Sequence, residues 1–355
     1  MAALNQYAAL LDGARPLPDY LGSIPKLVEL DDLVAENPSR ILTYLAEHAP
    51  EGKVLFGLSV YGPGDATRLT YQLNELLEAK DCRTRFIQAA GKPLSAVQVH
   101  HNKLLTKGND WCLFETAQGW RFGRSVWVYD FAGFNERDYK KPAADAKRGM
   151  LPPQLARTMV NLASKGTDIA IYDPFCGVGV LLLEALVTGH VAYGSDIDPK
   201  AIEDAQGNIE WLMSRRPELP DCELTVHDAT KPLPAGERVA IATEGHLGEL
   251  VRASTDETRT RKEAVAVEDT MRQFLKTAAA SLKSGDRLVV TLPAWRIAGG
   301  LLRLGLVDAV SSLGYTKIRP VPEDVELPGI TDRGTIDVAR TKQRVVHELL
   351  ILERN

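Results

Sequence analysis

The length, composition and charge of this 355-residue chain describe an ordinary soluble protein with room for two domains, since 45% of its residues are hydrophobic and 25% are charged. The longest apolar runs are broken well short of the roughly 20 residues that a membrane span needs, and the N-terminus lacks a signal-peptide pattern. The four cysteines form no C-x-x-C pair and no cluster with histidine, which argues against a disulfide framework and a zinc site. We therefore expect a cytoplasmic protein with no membrane segment.

The first third of the chain mixes helix and strand patterns. Helical periodicity covers 38–49 and 66–80, and an apolar strand pattern covers 53–62. Shorter strand patterns follow at TRFIQAA, WCLFETA and SVWVYDF. We interpret 1–135 as a small α+β domain and the polar, proline-containing segment 136–149 as a linker.

From residue 150 onward, strand and helix patterns alternate. The predicted strands cover 168–173, 191–196, 222–227, 238–243, 286–292, 315–319 and 344–352, and the predicted helices cover 179–188, 199–213, 263–283 and 297–313. Such alternation predicts a doubly wound α/β domain over 150–355, with a parallel sheet and an antiparallel position for the last strand. Ligands of such sheets bind beyond the carboxyl ends of the strands, so the turns after Asp173, Asp196, His227 and Thr243 are expected to meet at one crevice.

The stretch IYDPFCGVGVLLLEAL, residues 171–186, has the form of a strand, a glycine turn and a helix. A P-loop is excluded because no lysine follows Gly179. The dinucleotide fingerprint is disfavoured because Leu182 stands where that motif has a small residue for close helix packing. Asp173, just before the turn, would repel a pyrophosphate. It would attract a ligand that carries an ammonium and a sulfonium, as S-adenosylmethionine does, while the ligand's carboxylate meets the N–H groups of the turn.

Further acids complete an adenosyl site. Asp196 lies 19 residues after Gly177, where an acid can accept from both ribose hydroxyls. Ile197 beside it can cover an adenine face, and Asp228, after the next strand, can accept from the adenine amino group. Asp198 has an alternative role as the N-cap of the helix that starts at Pro199.

Three segments carry a family resemblance: RDYKKPAADAKRGMLPPQLARTMVNLA, YDPFCGVGVLLLEAL and GSDIDPKAIEDAQGNI. From about residue 131 onward the chain resembles the tRNA guanine-10 N2-methyltransferases, which are THUMP-containing and S-adenosylmethionine-dependent, and their bacterial relatives. The resemblance implies a Rossmann-like methyltransferase sheet behind a THUMP-like RNA-binding region, and tRNA or another structured RNA as partner. It also implies that the turn from Asp173 through Phe175 to Gly179 holds the methionine part, Asp196 the ribose and Asp228 the adenine. A small activator subunit is a candidate second partner.

The sequence departs from the family at the acceptor site. The family has D-P-P-Y after the fourth strand of the sheet, whereas this chain has IATEGHLGEL. Glu244 stands in place of the acid, His246 in place of the second proline and Leu247 in place of the aromatic residue. Glu244 can still accept from an amine, and His246 can stack on a base or act as a base. The alternative is that this loop forms only a pocket wall.

A basic segment precedes the catalytic part. Between Arg83 and Arg148, 12 Lys and Arg residues stand against 6 Asp and Glu residues, in a chain whose net charge is −5. Such a charge asymmetry is typical of a region that binds nucleic acid, although it is equally consistent with a solvent-exposed basic face that binds nothing. The same ambiguity, between nucleic-acid contact and a core or surface role, applies to Trp111, Trp120, Trp127, His100 and His101.

The sequence thus predicts a methyltransferase that acts on an exocyclic base nitrogen of RNA, with guanine N2 of tRNA as the leading acceptor. Two alternatives stay open. The first is a DNA or protein methyltransferase with a remodelled acceptor site. The second is a non-catalytic RNA-binding module that keeps the cofactor fold, for which the replacement of D-P-P-Y is the main support.

Overall fold

The chain separates into two units in the computed structural model, Met1–Phe131 and Ala132–Asn355. The structure describes residues 24–88, 92–144, 151–165, 168–233, 239–248, 256–321, 329–339 and 343–355. Within these ranges, no helix has both the length and the apolar character needed to cross a bilayer. The domain limits expected from the sequence stay a prediction.

The first unit is built on a five-stranded mixed sheet in the order β1-β5-β4-β2-β3. Strand β2 runs parallel to β3 and β4, whereas β5 is antiparallel to β4 and β1. The expected α+β mixture is therefore confirmed, and its THUMP-like character stays a prediction. The elements in chain order are β1 (Lys26–Ala35), α1 (Pro38–Glu47), β2 (Lys53–Tyr61), α2 (Ala66–Glu78), β3 (Arg83–Ile87), α3 (Ala96–His101), β4 (Asn109–Thr116) and β5 (Gly119–Val128).

Tryptophan and histidine side chains of this unit take the structural roles that the sequence left open. Trp111 and Trp120 are each only 7% exposed and belong to the core between the sheet and helices α1 and α2. Trp127 is partly buried. His100 and His101 are exposed at the end of α3, with their rings near Phe131. Base stacking by Trp111 or Trp120 is excluded by their burial.

The second unit is a doubly wound sheet in the order β12-β14-β10-β9-β6-β7-β8, with β11 paired to β10 and β13 to β14. Strands β6 to β10 are parallel and β14 is antiparallel, which confirms the predicted fold class. Its elements are α4 (Phe131–Tyr139), α5 (Pro153–Ser164), β6 (Ala170–Asp173), α6 (Val180–Val187), β7 (Ala192–Asp196), α7 (Pro199–Met213), β8 (Cys222–Val226), β9 (Val239–Glu244), α8 (Glu257–Ser281), β10 (Arg287–Ile297), β11 (Gly300–Leu302), α9 (Leu306–Ala309), a 3-10 turn (Val310–Leu313), β12 (Tyr315–Ile318), β13 (Ile336–Val338) and β14 (Val345–Arg354).

Apolar clusters cover both faces of this sheet. Helices α5, α6 and α7 bury their apolar residues on one face, and α8 buries Met271, Phe274 and Leu275 on the other. Along β10, Val289 belongs to the first cluster and its neighbours Leu288 and Val290 to the second, as the two-residue period of a strand requires. The chain order reverses between β6 and β9, so the ligand crevice of this fold class is expected at their carboxyl ends.

The helix predicted over 297–313 is wrong in its first half. Strand β10 continues to Ile297 and turns back into β11 as a hairpin, in which Ile297 pairs with Gly300. Gly300 adopts a φ of +126°, a conformation that glycine reaches without the clash a side chain would cause. Trp295 is fully buried within the extended strand, and this burial outweighs the helical spacing of the following leucines.

The first residues of the segment 136–149 are helical. Helix α4 runs through residues 136–139, and its Arg137 is only 3% exposed. The guanidinium of Arg137 donates to the fully buried carboxylate of Glu184 on α6, which also accepts from Arg157 Nε of α5 at 2.9 Å. Both guanidinium groups lie over the ring of Phe134, at 5.0 Å and 4.5 Å. One buried carboxylate therefore ties α4, α5 and α6 together.

Replacing Glu184 with alanine is expected to lower the free energy of unfolding by about 3–5 kcal/mol, because two buried guanidinium groups would lose their anion. Urea denaturation followed by circular dichroism measures the change. Glu203→Ala is the control, since the Glu203 side chain is 73% exposed and pairs only across the surface with Lys200. A Glu184→Ala protein as stable as the Glu203→Ala protein would contradict the role of this carboxylate.

Candidate functional site

Three acids end three neighbouring strands of the second unit. Asp173 is the last residue of β6, Asp196 of β7 and Glu244 of β9. These strands are parallel and adjacent, so their last residues lie along one edge of the sheet. We call this row the carboxyl edge. It is the convergence that the sequence predicted for the turns after β6, β7 and β9.

The turn of residues 173–179, called here the glycine turn, is held by its own backbone. Cys176 N–H donates to Ser195 O at 2.9 Å, and Gly179 N–H donates to Cys176 O at 2.8 Å. Gly177 and Gly179 have φ angles of +51° and +83°, which explains why both positions are glycine. A Cβ added to Gly177 would meet no atom within 4 Å, so the backbone there faces open space that a ligand can enter.

Close packing of α6 on the sheet is achieved without the small residue expected of a dinucleotide motif. A Cβ on Gly194 of β7 would overlap the side chains of Leu182 and Leu224. Leu182 thus fills the space that the missing side chain of Gly194 leaves. The small residue of this contact lies on the strand and the large one on the helix.

Asp173 is buried rather than presented at the surface. It is 2% exposed, and its Oδ1 accepts from Thr243 Oγ1 at 2.6 Å and from Phe175 N–H at 3.1 Å. Burial raises the pKa of Asp173 to about 7, and the nearby carboxylates of Asp196 and Glu244 add to the rise, against the two hydrogen bonds. The group is therefore near its titration midpoint at neutral pH.

Asp196 connects two turns. Its Oδ2 accepts from Gly177 N–H and its Oδ1 from Asp198 N–H, each at 3.0 Å. Ile197 beside it is 68% exposed, an unusual state for an apolar side chain of this size. Asp198 caps α7 by accepting from Lys200 N–H at 2.9 Å, so the capping role considered for it is confirmed.

Asp228 lies in the turn after β8, the strand beside β7. The adjacent residue His227 donates its N–H to Asp196 O at 3.0 Å, which joins this turn to the end of β7. Asp228 Oδ1 accepts from Thr230 Oγ1 at 2.7 Å and from Thr230 N–H at 2.9 Å. These hydrogen bonds lower the pKa of Asp228, which therefore carries a full negative charge at neutral pH.

The turn of residues 244–247, called here the acceptor turn, follows β9. Gly245 N–H donates to Thr291 O at 3.0 Å, and a Cβ on Gly245 would lie 2.8 Å from Met271 Cε. His246 donates its N–H to Met271 Sδ at 3.4 Å and is exposed. The turn is thus packed against β10 and α8 on its backbone side.

Sequence reasoning missed His347. This residue of β14 places Nδ1 at 3.2 Å from Glu244 Oε1, and its side chain is only 12% exposed. The only signal in the sequence is a histidine next to a glutamate inside the apolar strand VVHELLIL, where each polar residue calls for a partner. Its contact depends on the antiparallel placement of β14 beside β10, which no local pattern specifies.

The geometry brings most of the predicted site residues to one edge. Asp173, Gly177, Asp196 and Glu244 are joined through direct contacts or neighbouring strands, and the turn of Asp228 is bonded to Asp196. Phe175 packs its ring edge-on against Phe274 of α8, with ring centroids 5.1 Å apart. The side chains of Ile197 and His246 are exposed, and their roles stay predictions.

Comparison with known proteins gives a match over residues 137–214 to the family described as RMKL-like, methyltransferase domain. The chain is 33% identical over 162 residues to a tRNA (guanine(10)-N2)-dimethyltransferase of Methanothermobacter thermautotrophicus, covering 45% of this chain and 43% of that protein. It is 31% identical over 157 residues to the enzyme of the same name from Pyrococcus abyssi, covering 40% of this chain and 44% of that protein. The chain therefore spans less than half the length of these curated relatives.

Among solved structures, TrmN from Thermus thermophilus is similar to 95% of this chain and 85% of its own, with a TM-score of 0.52 at 17% identity. At that identity the likeness concerns the fold. The motifs, the sheet order and the sequence matches agree: residues 137–214 match the model of the RMKL-like methyltransferase domain, and the resemblance of the chain to tRNA guanine N2-methyltransferases is confirmed.

Proposed function

We propose that this chain is an S-adenosylmethionine-dependent methyltransferase that acts on an exocyclic base nitrogen of RNA, with guanine N2 of tRNA as acceptor. One observation carries the proposal. The Asp196 carboxylate holds the N–H of Gly177, where the backbone faces open space, and Glu244 ends the second strand along from Asp196 at the same carboxyl edge. A donor site and an acceptor site are thereby adjacent.

The residues of the glycine turn suit the cofactor. Asp173 offers a carboxylate to the ammonium group, and Asp196, with one lone pair used on each oxygen, keeps capacity to accept from two ribose hydroxyls. Ile197 supplies an exposed apolar surface for the adenine ring, and Phe175 lines the turn. Asp228 uses Oδ1 on Thr230, which leaves its other oxygen for the adenine amino group. When bound, the cofactor supplies a methyl group on a positively charged sulfur.

Glu244 is proposed to act on the acceptor amine. An aromatic amine is a poor nucleophile because its lone pair is delocalised into the ring, and a carboxylate that accepts from its N–H restores electron density at nitrogen. The bound cofactor would supply the methyl group to this nitrogen and would keep the electron pair of the C–S bond on sulfur. The proton in excess on nitrogen then leaves to Glu244. The target nucleotide must be extruded from its helix to reach this edge.

The nature of the acceptor is inferred from the relatives. Both are named tRNA (guanine(10)-N2)-dimethyltransferases. The basic segment that begins at Arg83 supports RNA as the partner, because phosphate contacts supply most nucleic-acid affinity. A small activator subunit and a cytoplasmic location stay predictions, as does base stacking by His246.

Loss of the Asp196 carboxylate is expected to weaken S-adenosylmethionine binding by about 10-fold to 100-fold or more, because hydrogen bonds to a charged group are worth about 1.5–3 kcal/mol. Isothermal titration calorimetry on Asp196→Ala measures the change. Asp198→Ala is the control, since it removes a helix cap two residues away and is expected to change the affinity little. A native protein that binds no S-adenosylmethionine would end the cofactor proposal.

Binding of the cofactor is expected to release a proton from Asp173. Its pKa is about 7 in the free protein, and a cation beside it favours the carboxylate, so the pKa falls on binding. Affinity should then fall by up to about tenfold per pH unit below pH 7 and be flat well above it. Calorimetry at pH 6 in buffers of different ionisation enthalpy counts the proton. Equal proton release from Asp173→Asn would assign the effect to another group.

Methyl transfer is tested with labelled S-adenosylmethionine and bulk tRNA, followed by nucleoside analysis. Label is expected in N2-methylated guanosine, and Glu244→Gln should reduce the single-turnover rate at least about 100-fold, the lower range of general base catalysis. Glu203→Gln, on the exposed face of α7, serves as control. Label in DNA or protein instead would favour a remodelled acceptor site. Cofactor binding without transfer to any acceptor would favour the non-catalytic module.

A further inference from the structure

A histidine–carboxylate pair lies at the acceptor turn. Glu244 Oε1 and His347 Nδ1 are 3.2 Å apart, and each atom is buried with no hydrogen-bond partner of good geometry among the described residues. The Glu244 side chain as a whole is 21% exposed. Since Oε1 is buried, the exposed surface belongs to the other atoms of that side chain. The carboxyl group therefore has one oxygen committed inward, against the histidine.

We propose that His347 is a positioning residue for methyl transfer, which holds Glu244 Oε1 so that the other oxygen, Oε2, meets the N–H of the acceptor amine. This inference rests on the proposed function. It assigns to a side chain from β14 the rigidity that the D-P-P-Y turn supplies in the resembling family. The chain would thus fix its acceptor carboxylate from a neighbouring strand rather than from within the turn.

The second nitrogen of His347 indicates which tautomer faces Glu244. Gln343 Nε2 lies 3.5 Å from His347 Nε2, and because an amide nitrogen only donates, this contact is a hydrogen bond in the tautomer whose Nε2 accepts. A neutral imidazole with an accepting Nε2 carries its proton on Nδ1. That nitrogen lies 3.2 Å from Glu244 Oε1, and in this tautomer it is the group that can donate to the carboxylate. The order of donation in the proposal is from Gln343 to His347 and from His347 to Glu244.

The ring of His347 is held by its strand. At His347, β14 pairs with Pro293 of β10 on one side and with Val338 of β13 on the other. The next residue, Glu348, is fully buried and accepts from Thr335 Oγ1 at 2.7 Å, with Arg303 and Arg333 within ion-pair distance. A strand anchored in this way leaves the imidazole little freedom. Such restraint is what a positioning residue needs.

Charge at this edge gives the pair a further role. Asp173 and Asp196 carry the other carboxyl groups of the carboxyl edge, and the proximity of Glu244 contributes to the raised pKa of Asp173. Three neighbouring acids repel one another, so an unrestrained Glu244 side chain would turn away from Asp173. A hydrogen bond from His347 offsets that repulsion and keeps the carboxylate in place.

Two substitutions at position 347 distinguish the effect of losing the hydrogen-bond donor from the effect of changing the side-chain volume. Asparagine can place an amide N–H near the position of Nδ1, whereas leucine is of similar size and has no donor. We expect His347→Leu to reduce the single-turnover rate of methyl transfer by about 10-fold to 100-fold, as loss of a hydrogen bond to a charged group would. His347→Asn should recover most of that rate. The dissociation constant for S-adenosylmethionine should stay within about threefold in both variants, because His347 contacts the acceptor carboxylate and not the glycine turn.

The double variant Glu244→Gln with His347→Leu tests whether the two residues act as a unit. It is expected to be about as slow as Glu244→Gln alone, since His347 acts through Glu244. Additive losses, or a His347→Leu protein as fast as the native one, would overturn the proposal. Should His347→Leu fail to fold, a slow and folded His347→Asn protein would equally overturn it, and a fast one would support it.

A measurement that needs no acceptor distinguishes failure of this inference from failure of the proposed function. Nitrogen-15 NMR of the imidazole is expected to show a protonated Nδ1 in His347, with a resonance that shifts in Glu244→Gln while those of His100 and His101 do not. An unprotonated Nδ1, or a His347 resonance indifferent to Glu244→Gln, would overturn the pair itself. The expected spectrum together with no methyl transfer to tRNA would leave the pair supported and overturn only the assigned acceptor chemistry.

Discussion

The site depends on one hydrogen-bonded carboxylate. Asp196 ends β7 and accepts from the backbone of the glycine turn through one oxygen and from the turn that starts α7 through the other. Without this acid, two backbone N–H groups at the edge of a parallel sheet would lack a partner, and the two turns would be free to separate. The same residue joins the turn after β8 through its carbonyl oxygen. A single residue thus joins three turns, two through its carboxylate and one through its main-chain carbonyl.

Gathering several carboxyl groups at one edge of the sheet has an electrostatic cost, which is seen in the pKa of Asp173. Asp173 is buried within reach of two other carboxyl groups, and its raised pKa reflects the loss of water together with their repulsion. The hydroxyl of Thr243 and the N–H of Phe175 supply compensating donors to Asp173.

Local patterns predicted the glycine turn, its acids and the alternating sheet, because each depends on residues within about 30 positions of one another. Three features of the structure were not predicted from the sequence. Strand β1 carries Asp31 and Asp32 beside an irregular register, which breaks the alternation expected of a strand. The β10–β11 hairpin was mistaken for a helix, because leucine spacing there fits both periods. His347 was missed because its partner lies 103 positions away in the chain and meets it only through an antiparallel pairing.

The packing around Gly245 is compatible with the E-G-H turn of this chain but not with a Pro-Pro turn. A proline at this position would lose the N–H that binds Thr291 O, and its ring would enter the space of Met271. A Pro-Pro turn therefore requires another side chain on α8 and a different path beside β10. The E-G-H turn therefore depends on the side chains of α8 and on the path of β10 beside it. Grafting experiments that exchange acceptor turns between such proteins have to move α8 and β14 residues together with the loop.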